Sequence, residues 1–193
     1  DDYKAAFSGA LGFMIDRNII SSAKDIENVA VRIVAPGEYF STHRILNEEY
    51  LKRLNAAAEI APLHAGPVLE EIKEISRLLP HAVIAGISDS AFHSTLPDVA
   101  KYYALPKEIA ESSGVRRYGY HGLSVESAVG KLKNMHGGLG RRGIVCHLGG
   151  GASITALKNG ESVDTSMGFT PLEGVPMGSR SGSIDAEAVL FLQ

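Results

Sequence analysis

The sequence predicts an α/β fold, and three observations predict it. Short β-branched or apolar runs at 29–34, 82–87 and 143–147 alternate with stretches of helical periodicity. The run Ala82-Val83-Ile84-Ala85-Gly86-Ile87 has no polar alternation, as in a strand covered on both sides. Residues 152–157 and 161–163 flank Asn159-Gly160, the signal of a type I′ hairpin turn.

The elements follow in order. Residues 5–15 are small and apolar, and fit either a helix or a buried strand. Val29 to Val34 reads as a strand ended by Pro36-Gly37. Asn47 is an N-cap, with Glu48 and Glu49 at the positive end of the helix dipole. Leu51, Leu54, Ala58 and Ala61 then share a helical face, and Pro62 ends that helix. Gly66-Pro67 opens a second helix, burying Leu69, Ile72, Ile75 and Leu79 and stopping at Pro80. Pro97–Leu105 and Pro106–Ser112 form short helices, the second with Gly114 just past its end. Ser124 caps a helix bearing Val125, Ala128, Val129 and Leu132. Ile184 to Gln193 begins a helix, and its apolar end without a cap is expected of a chain cut short. A division near residue 89 is expected, with 1–89 and 90–193 in different domains.

Composition narrows the function. The 193 residues are 45% hydrophobic and 21% charged, which suits a packed core. Nineteen Lys and Arg against 22 Asp and Glu leave a net charge of −3, without the basic surplus of a nucleic-acid binder. The one cysteine, Cys146, permits neither an internal disulfide nor a cysteine-only zinc site. No apolar run reaches the roughly 18–20 residues that span a bilayer. The expectation is a cytoplasmic protein with no membrane partner.

Several residues carry chemistry. Leu148-Gly149-Gly150-Gly151 follows the strand 143–147, and its three glycines leave backbone N–H groups open to phosphate oxygens. No Lys-Ser/Thr follows and the next element is a strand, so this is neither a Walker loop nor a dinucleotide fingerprint. A plain hairpin turn is the simpler reading. Asp89 lies just beyond a strand, where α/β folds bind ligands, although such an Asp is commonly a turn residue. Gly119 and Gly122 bracket Tyr120-His121 and suggest a bent backbone presenting the imidazole; the alternative is a solvated loop around Arg116 and Arg117. Arg180, amid Gly178-Ser179 and Ser181-Gly182, is suited to grip a carboxylate or phosphoryl group. With Arg32, these groups supply the positioned charge and donors that phosphoryl transfer requires.

A longer pattern then emerges. Asp164-Thr165-Ser166-Met167-Gly168-Phe169-Thr170-Pro171-Leu172-Glu173-Gly174, followed by Met177-Gly178-Ser179-Arg180-Ser181-Gly182, resembles the signature of the acetate and propionate kinases. Asp89-Ser90-Ala91-Phe92-His93, Arg117 to Gly122, Ala61-Pro62-Leu63-His64 and Cys146-His147-Leu148-Gly149 are similar to the same family in the same order. The resemblance implies a ribonuclease H-like fold of the actin and sugar-kinase type, with duplicated domains incomplete at both ends. It implies reversible transfer of a phosphoryl group from ATP to acetate, with Mg2+ as cofactor. The small carboxylate and ATP are then the partners, and the full-length protein pairs as a homodimer in such enzymes. By the same resemblance, Arg32 and Arg180 hold the carboxylate and the moving phosphoryl group, His121 donates to phosphoryl oxygens, and Asp89 orients an arginine near the metal. His147, Leu148, Gly149, Gly150 and Gly151 match the ATP-phosphate loop, and His64 the rim of the site. Val34, Leu63, Tyr120 and Pro171 match the pocket for the substrate methyl.

The chain also departs from that family. Neither the first phosphate loop nor the adenosine-binding part has a counterpart, and metal ligands are not assigned. Ala35-Pro36 stands for His-Gly, Tyr120 for Phe, Gly150 for Asn and Ser183 for Asp. The Tyr120 hydroxyl is expected to narrow the pocket or to favour a slightly more polar acid. The isolated chain is expected to be inactive. A shortened structural or regulatory homologue and a propionate kinase are the alternatives.

Overall fold

Asn47 begins the best-defined helix as its residues dictate. Its side chain accepts the Tyr50 N–H at 2.9 Å, and α2 runs Glu48–Ile60 with both acidic residues in its first turn. A computed structural model describes residues 3–136 and 140–193, apart from the side chains of Tyr3, Lys4, Leu63 and His136. The chain divides into two compact units, Asp1–Ala35 with His43–Ile87, and Pro36–Thr42 with Ser88–Gln193.

The first unit holds α1 (Tyr3–Asp16), β1 (Asn28–Ile33), β2 (Arg44–Ile45), α2, α3 (Pro62–Leu78) and most of β3 (Val83–Ser88). The segment 5–15 is thus helical. The sheet order is β1-β3-β2, with β2 antiparallel to β3. Although β3 is central, Val83 is exposed and Ile84, Ala85 and Ile87 are half-buried, so the strand is less covered than its apolar run predicts. The buried face of α2 is Tyr50, Leu54, Ala57 and Ala61, shifted from the expected one because the large Tyr50 ring takes the inner position in place of Leu51. That ring lies against Gly86, where any Cβ would strike its hydroxyl. The helix α3 begins at Pro62, not at Gly66-Pro67. Proline loses nothing at a first helical position, and Pro67 is carried inside the helix by buried Leu69, Ile72, Ile75 and Leu79.

The second unit begins with 36–42, whose Phe40 is buried. The Phe40 carbonyl accepts from Ser88 Oγ, and Glu38 pairs with Arg116. Beyond β3 lie a 3-10 turn (Ala91–Thr95), α4 (Asp98–Lys101), α5 (Lys107–Ser113) and α6 (Gly122–His136). The helix expected over 97–105 is a single turn, because Tyr103 turns its hydroxyl toward Glu173 and the Phe169 N–H instead of extending the helix. Gly114 is left-handed at the end of α5. The strands β4 (Arg142–Leu148), β5 (Ala152–Lys158) and β6 (Glu161–Thr165) form an antiparallel sheet. Asn159 (φ 55°) and Gly160 (φ 87°) make the expected type I′ turn. One sheet face buries Ser153, Thr155 and Leu157, with Leu157 packed against Val125 and Val129 of α6. The opposite face leaves Ile144, Cys146, Leu148 and Ile154 exposed. The last helix, α7, is Ala186–Phe191, capped by Asp185.

Candidate functional site

The site is built where β3 ends. Asp89 is 1% exposed, and its Oδ2 accepts the His121 N–H at 2.6 Å. Its carbonyl accepts the Gly122 N–H at 2.8 Å. These bonds hold His121 at φ 59°, a left-handed conformation uncommon for a residue with a side chain. The flanking glycines act as expected, for a physical reason. A Cβ on Gly122 would collide with the Asp89 carbonyl, and one on Gly119 would lie 2.7 Å from the His93 ring. The first turn of α6 starts on His121, whose carbonyl accepts the Val125 N–H. Ser124 is therefore inside the helix rather than capping it, and its hydroxyl meets His147 Nδ1 at 2.9 Å.

The His121 ring is fixed on two sides. Nδ1 lies 3.0 Å from Ser153 Oγ, and the ring stacks on His147 at 3.9 Å between centroids. The other edge faces the glycine loop. A Cβ placed on Gly151 would be 3.2 Å from His121 Nε2 and 3.1 Å from Arg180 Nη2. Imidazole and guanidinium therefore address one spot, which stays open because residue 151 has no side chain. Arg180 is held by its Nη1 donating to the Pro171 carbonyl at 2.8 Å. The arginine loop is tied to the glycine loop by Gly178 N–H on the Gly150 carbonyl at 3.3 Å. Gly149 N–H is taken by the Gly151 carbonyl at 3.0 Å. The Leu148 side chain, 77% exposed, lies on the open sheet face, so this residue offers the loop only its backbone.

Tyr120 is buried, and its hydroxyl donates to the Phe169 carbonyl at 2.6 Å. Burial raises the phenol above its ordinary pKa, so it remains a donor. The proton of that hydroxyl is thus committed to a main-chain carbonyl. Arg117 is a buttress, which sets aside the alternative of a solvated loop at this residue. It donates to the carbonyls of Ala100 and Thr165 at 3.1 and 3.0 Å, and to Glu173 at 3.0 Å. Tyr103 donates to the same Glu173, and its phenol pKa is raised by burial first and then by that carboxylate.

His121, Arg180, Asp89, His147, Tyr120, Pro171 and the glycines 149–151 thus belong to the second unit. The first unit carries Arg32, exposed on β1 between buried Val31 and Ile33, half-buried Val34, and half-buried His64 in the first turn of α3. The Leu63 side chain lies outside the described residues. Sequence reasoning missed the supports Ser153 and His93. His93 is 2% exposed, with Nε2 at 3.0 Å from the Tyr120 carbonyl and Nδ1 at 2.9 Å from Ser162 Oγ. A signal existed for both: the histidine four residues after Asp89, and the serine two after the last loop glycine.

Among the described residues no three His, Cys, Asp or Glu side chains gather as a metal-ligand set. Asp89 is buried with Oδ2 on a backbone N–H. The described residues of this chain therefore do not by themselves fit a resident magnesium site, which needs carboxylate oxygens open to the ion. No helix among them is long and apolar enough to cross a membrane.

Comparison with known proteins adds to this geometry. The acetokinase family model matches residues 1–193. Acetate kinase of Caldanaerobacter subterraneus subsp. tengcongensis is 42% identical over 198 residues, covering 99% of this chain and 49% of that protein. Acetate kinase of Bacteroides thetaiotaomicron is 45% identical over 175 residues, covering 90% and 44%. Among solved structures, a propionate kinase from Francisella tularensis superposes with a TM-score of 0.89 at 34% identity, covering 99% of this chain and 49% of that one. Porphyromonas gingivalis acetate kinase gives 0.83 at 36%, with the same coverage. These neighbours have the actin and sugar-kinase type of fold. The chain spans about half the length of the curated relatives it matches.

Proposed function

The chain belongs to the acetokinase family, and from that premise we propose that it supplies the phosphoryl-gripping part of an enzyme that transfers the γ-phosphoryl group of ATP to acetate. A carboxylate oxygen attacks the γ-phosphorus, the bond to the β,γ-bridging oxygen breaks, and acetyl phosphate and ADP leave. Acetate is ionised at neutral pH, so no proton has to be removed. The observation that carries this reading is the meeting of His121 Nε2 and Arg180 Nη2 at Gly151.

Each residue then has physical work. With Nδ1 accepting the Ser153 hydroxyl, Nε2 of His121 carries the proton and donates to a phosphoryl oxygen. Arg180 supplies fixed positive charge, already oriented by the Pro171 carbonyl. Asp89 works electrostatically, since its oxygen holds the His121 backbone rather than a substrate proton. His147, Leu148 and the glycine loop cradle the nucleotide phosphates, with the Gly149 N–H bonded to the Gly151 carbonyl to shape the loop. Arg32, Val34, Leu63, His64, Tyr120 and Pro171 are proposed for the acid and its methyl pocket. Magnesium belongs with the ATP phosphates, where it offsets their charge. Residues 1–89 are read as the remainder of one domain and 90–193 as the start of the nucleotide-binding domain of a cytoplasmic, homodimeric protein. Propionate is the second acceptor to test, because a propionate kinase is among the structural neighbours. A non-catalytic, structural or regulatory role is the alternative, and an inactive folded chimera would favour it.

The test is a chimera. These 193 residues replace the matching half of the Caldanaerobacter acetate kinase, and acetyl phosphate is trapped as the hydroxamate. An active chimera is expected, with Arg180→Ala and His121→Ala each lowering turnover by about 10²–10³. A folded chimera without activity, or near-normal turnover in either variant, refutes the assignment.

A further inference from the structure

Two donors must hold the same anion, yet they come from segments about sixty residues apart in the chain. The Tyr118 and Gly119 N–H groups reach the Gly168 carbonyl at 3.1 and 3.4 Å, and one side chain joins the segments nearer the two donors. Tyr120 directly precedes His121, and its hydroxyl donates to the Phe169 carbonyl at 2.6 Å. Two residues after Phe169, the Pro171 carbonyl accepts Arg180 Nη1 at 2.8 Å. At its other end, the Tyr120 carbonyl lies 3.0 Å from Nε2 of His93, whose Nδ1 meets the Ser162 hydroxyl at 2.9 Å. Tyr120 and His93 are both nearly inaccessible, so the bond between them is sheltered from bulk water, while the bond to half-buried Phe169 is partly sheltered.

From this arrangement we infer that Tyr120 is a positioning residue, fixed at its carbonyl by His93 and at its hydroxyl by Phe169, that sets the separation of His121 Nε2 and Arg180 Nη2. The inference rests on the proposed phosphoryl-binding role of those two groups. A phenylalanine here would fill the same volume but leave the Phe169 carbonyl without its donor, with the segment held through the Gly168 carbonyl and the Phe169 N–H. Arg180 would then keep its carbonyl partner, but the registration of that carbonyl against His121 would loosen. Pre-set donors bind an anion with little reorganisation, and loosening one of them weakens the grip without unfolding the site.

The experiment uses the 193-residue chain itself, labelled with 15N, and inorganic phosphate as the probe. Long-range 1H–15N spectra report the histidine ring nitrogens well below the thermal midpoint, with His121 assigned from His121→Gln. Phosphate is expected to shift His121 Nε2 in the wild type. Tyr120→Phe is expected to raise the phosphate Kd about tenfold, the scale of one net hydrogen bond. Incorporation of p-aminophenylalanine at position 120, whose amine donates to the same carbonyl, restores affinity. His93→Gln retains a donor to the Tyr120 carbonyl and keeps phosphate affinity above that of His93→Leu. This pair decides the matter should Tyr120→Phe not fold. A merely structural role would lower the thermal midpoint of these variants without ordering their phosphate affinities in this way. Unchanged affinity in Tyr120→Phe, alongside lost binding in Arg180→Ala, overturns the coupling and leaves the phosphoryl site standing. A wild type that does not bind phosphate, or Arg180→Ala binding as well as wild type, overturns both.

Discussion

Gly151 shows how much one absent methyl group does. Its backbone has no left-handed φ, so an alanine is conformationally tolerated, but the new Cβ would stand between His121 Nε2 and Arg180 Nη2. Gly151→Ala in the chimera is expected to cut turnover at least about tenfold, as small misplacements of reacting groups do, while the thermal midpoint barely moves; a fully active variant would place the transferred group elsewhere. His93 gives a prediction in pH. Burial depresses its pKa below the ordinary value of about 6.5. The unfolded chain therefore takes up this proton first as pH falls. The contribution of neutral His93 to stability is complete above about pH 6.5 and is lost below it, with a slope of at most about 1.4 kcal/mol per pH unit. Urea titrations between pH 7.5 and 5 are expected to show a steeper loss in the wild type than in His93→Gln, and parallel curves would contradict the buried neutral state. At this scale the sequence was partly legible. Glycines near His121 and the run 149–151 announce close approach of backbone, and the structure supplies it at Gly119, Gly122 and Gly151, while a Cβ on Gly150 would meet nothing within 4 Å. Ser153 acts through a contact across 32 residues of chain and His93 through contacts across 27 and 69, which no local pattern encodes.

Among the elements, boundaries with a backbone reason were readable and rotations were not. Asn47, Gly114 and Asn159-Gly160 each mark an end or a turn through φ and hydrogen bonding alone, and all three appear where expected. The face of α2 depends instead on Tyr50 meeting Gly86, a tertiary contact. The proline at 62 looked like a stop and is also a start, since two helices share that junction. Asn47→Ala is expected to cost about 1 kcal/mol in urea denaturation, the usual value of an N-cap. The buttress under the turn 164–174 is more demanding. Arg117→Lys keeps the charge but replaces a planar fork serving Ala100, Thr165 and Glu173 with a single ammonium. A loss of about 2 kcal/mol is expected, read from the denaturation midpoint, and a neutral effect would mean that the turn is held without Arg117.

Over the whole molecule, the sequence conveyed the fold type and the family through long ordered motifs, and it suggested two domains without revealing that neither unit is one continuous stretch. The chain leaves the first unit after Ala35, returns at His43 and leaves again after Ile87. The open sheet face, with Ile144 at 72% and Leu148 at 77% exposure, makes solubility a whole-molecule property. Ile144→Lys combined with Leu148→Lys is expected to raise the ammonium sulfate concentration at which the chain precipitates, and no change would mean that this face is covered in solution. The unaltered chain, assayed alone with ATP and acetate, is expected to yield no hydroxamate, and a measurable yield would show that half the length of the relatives suffices. The interleaved path also has a consequence during synthesis. Phe40 leaves the ribosome 48 residues ahead of Ser88, whose hydroxyl will bind its carbonyl. At typical elongation rates that is about 2–10 s, during which a greasy aromatic ring has no pocket to enter. For that interval residues 36–42 await the later stretch that completes their unit.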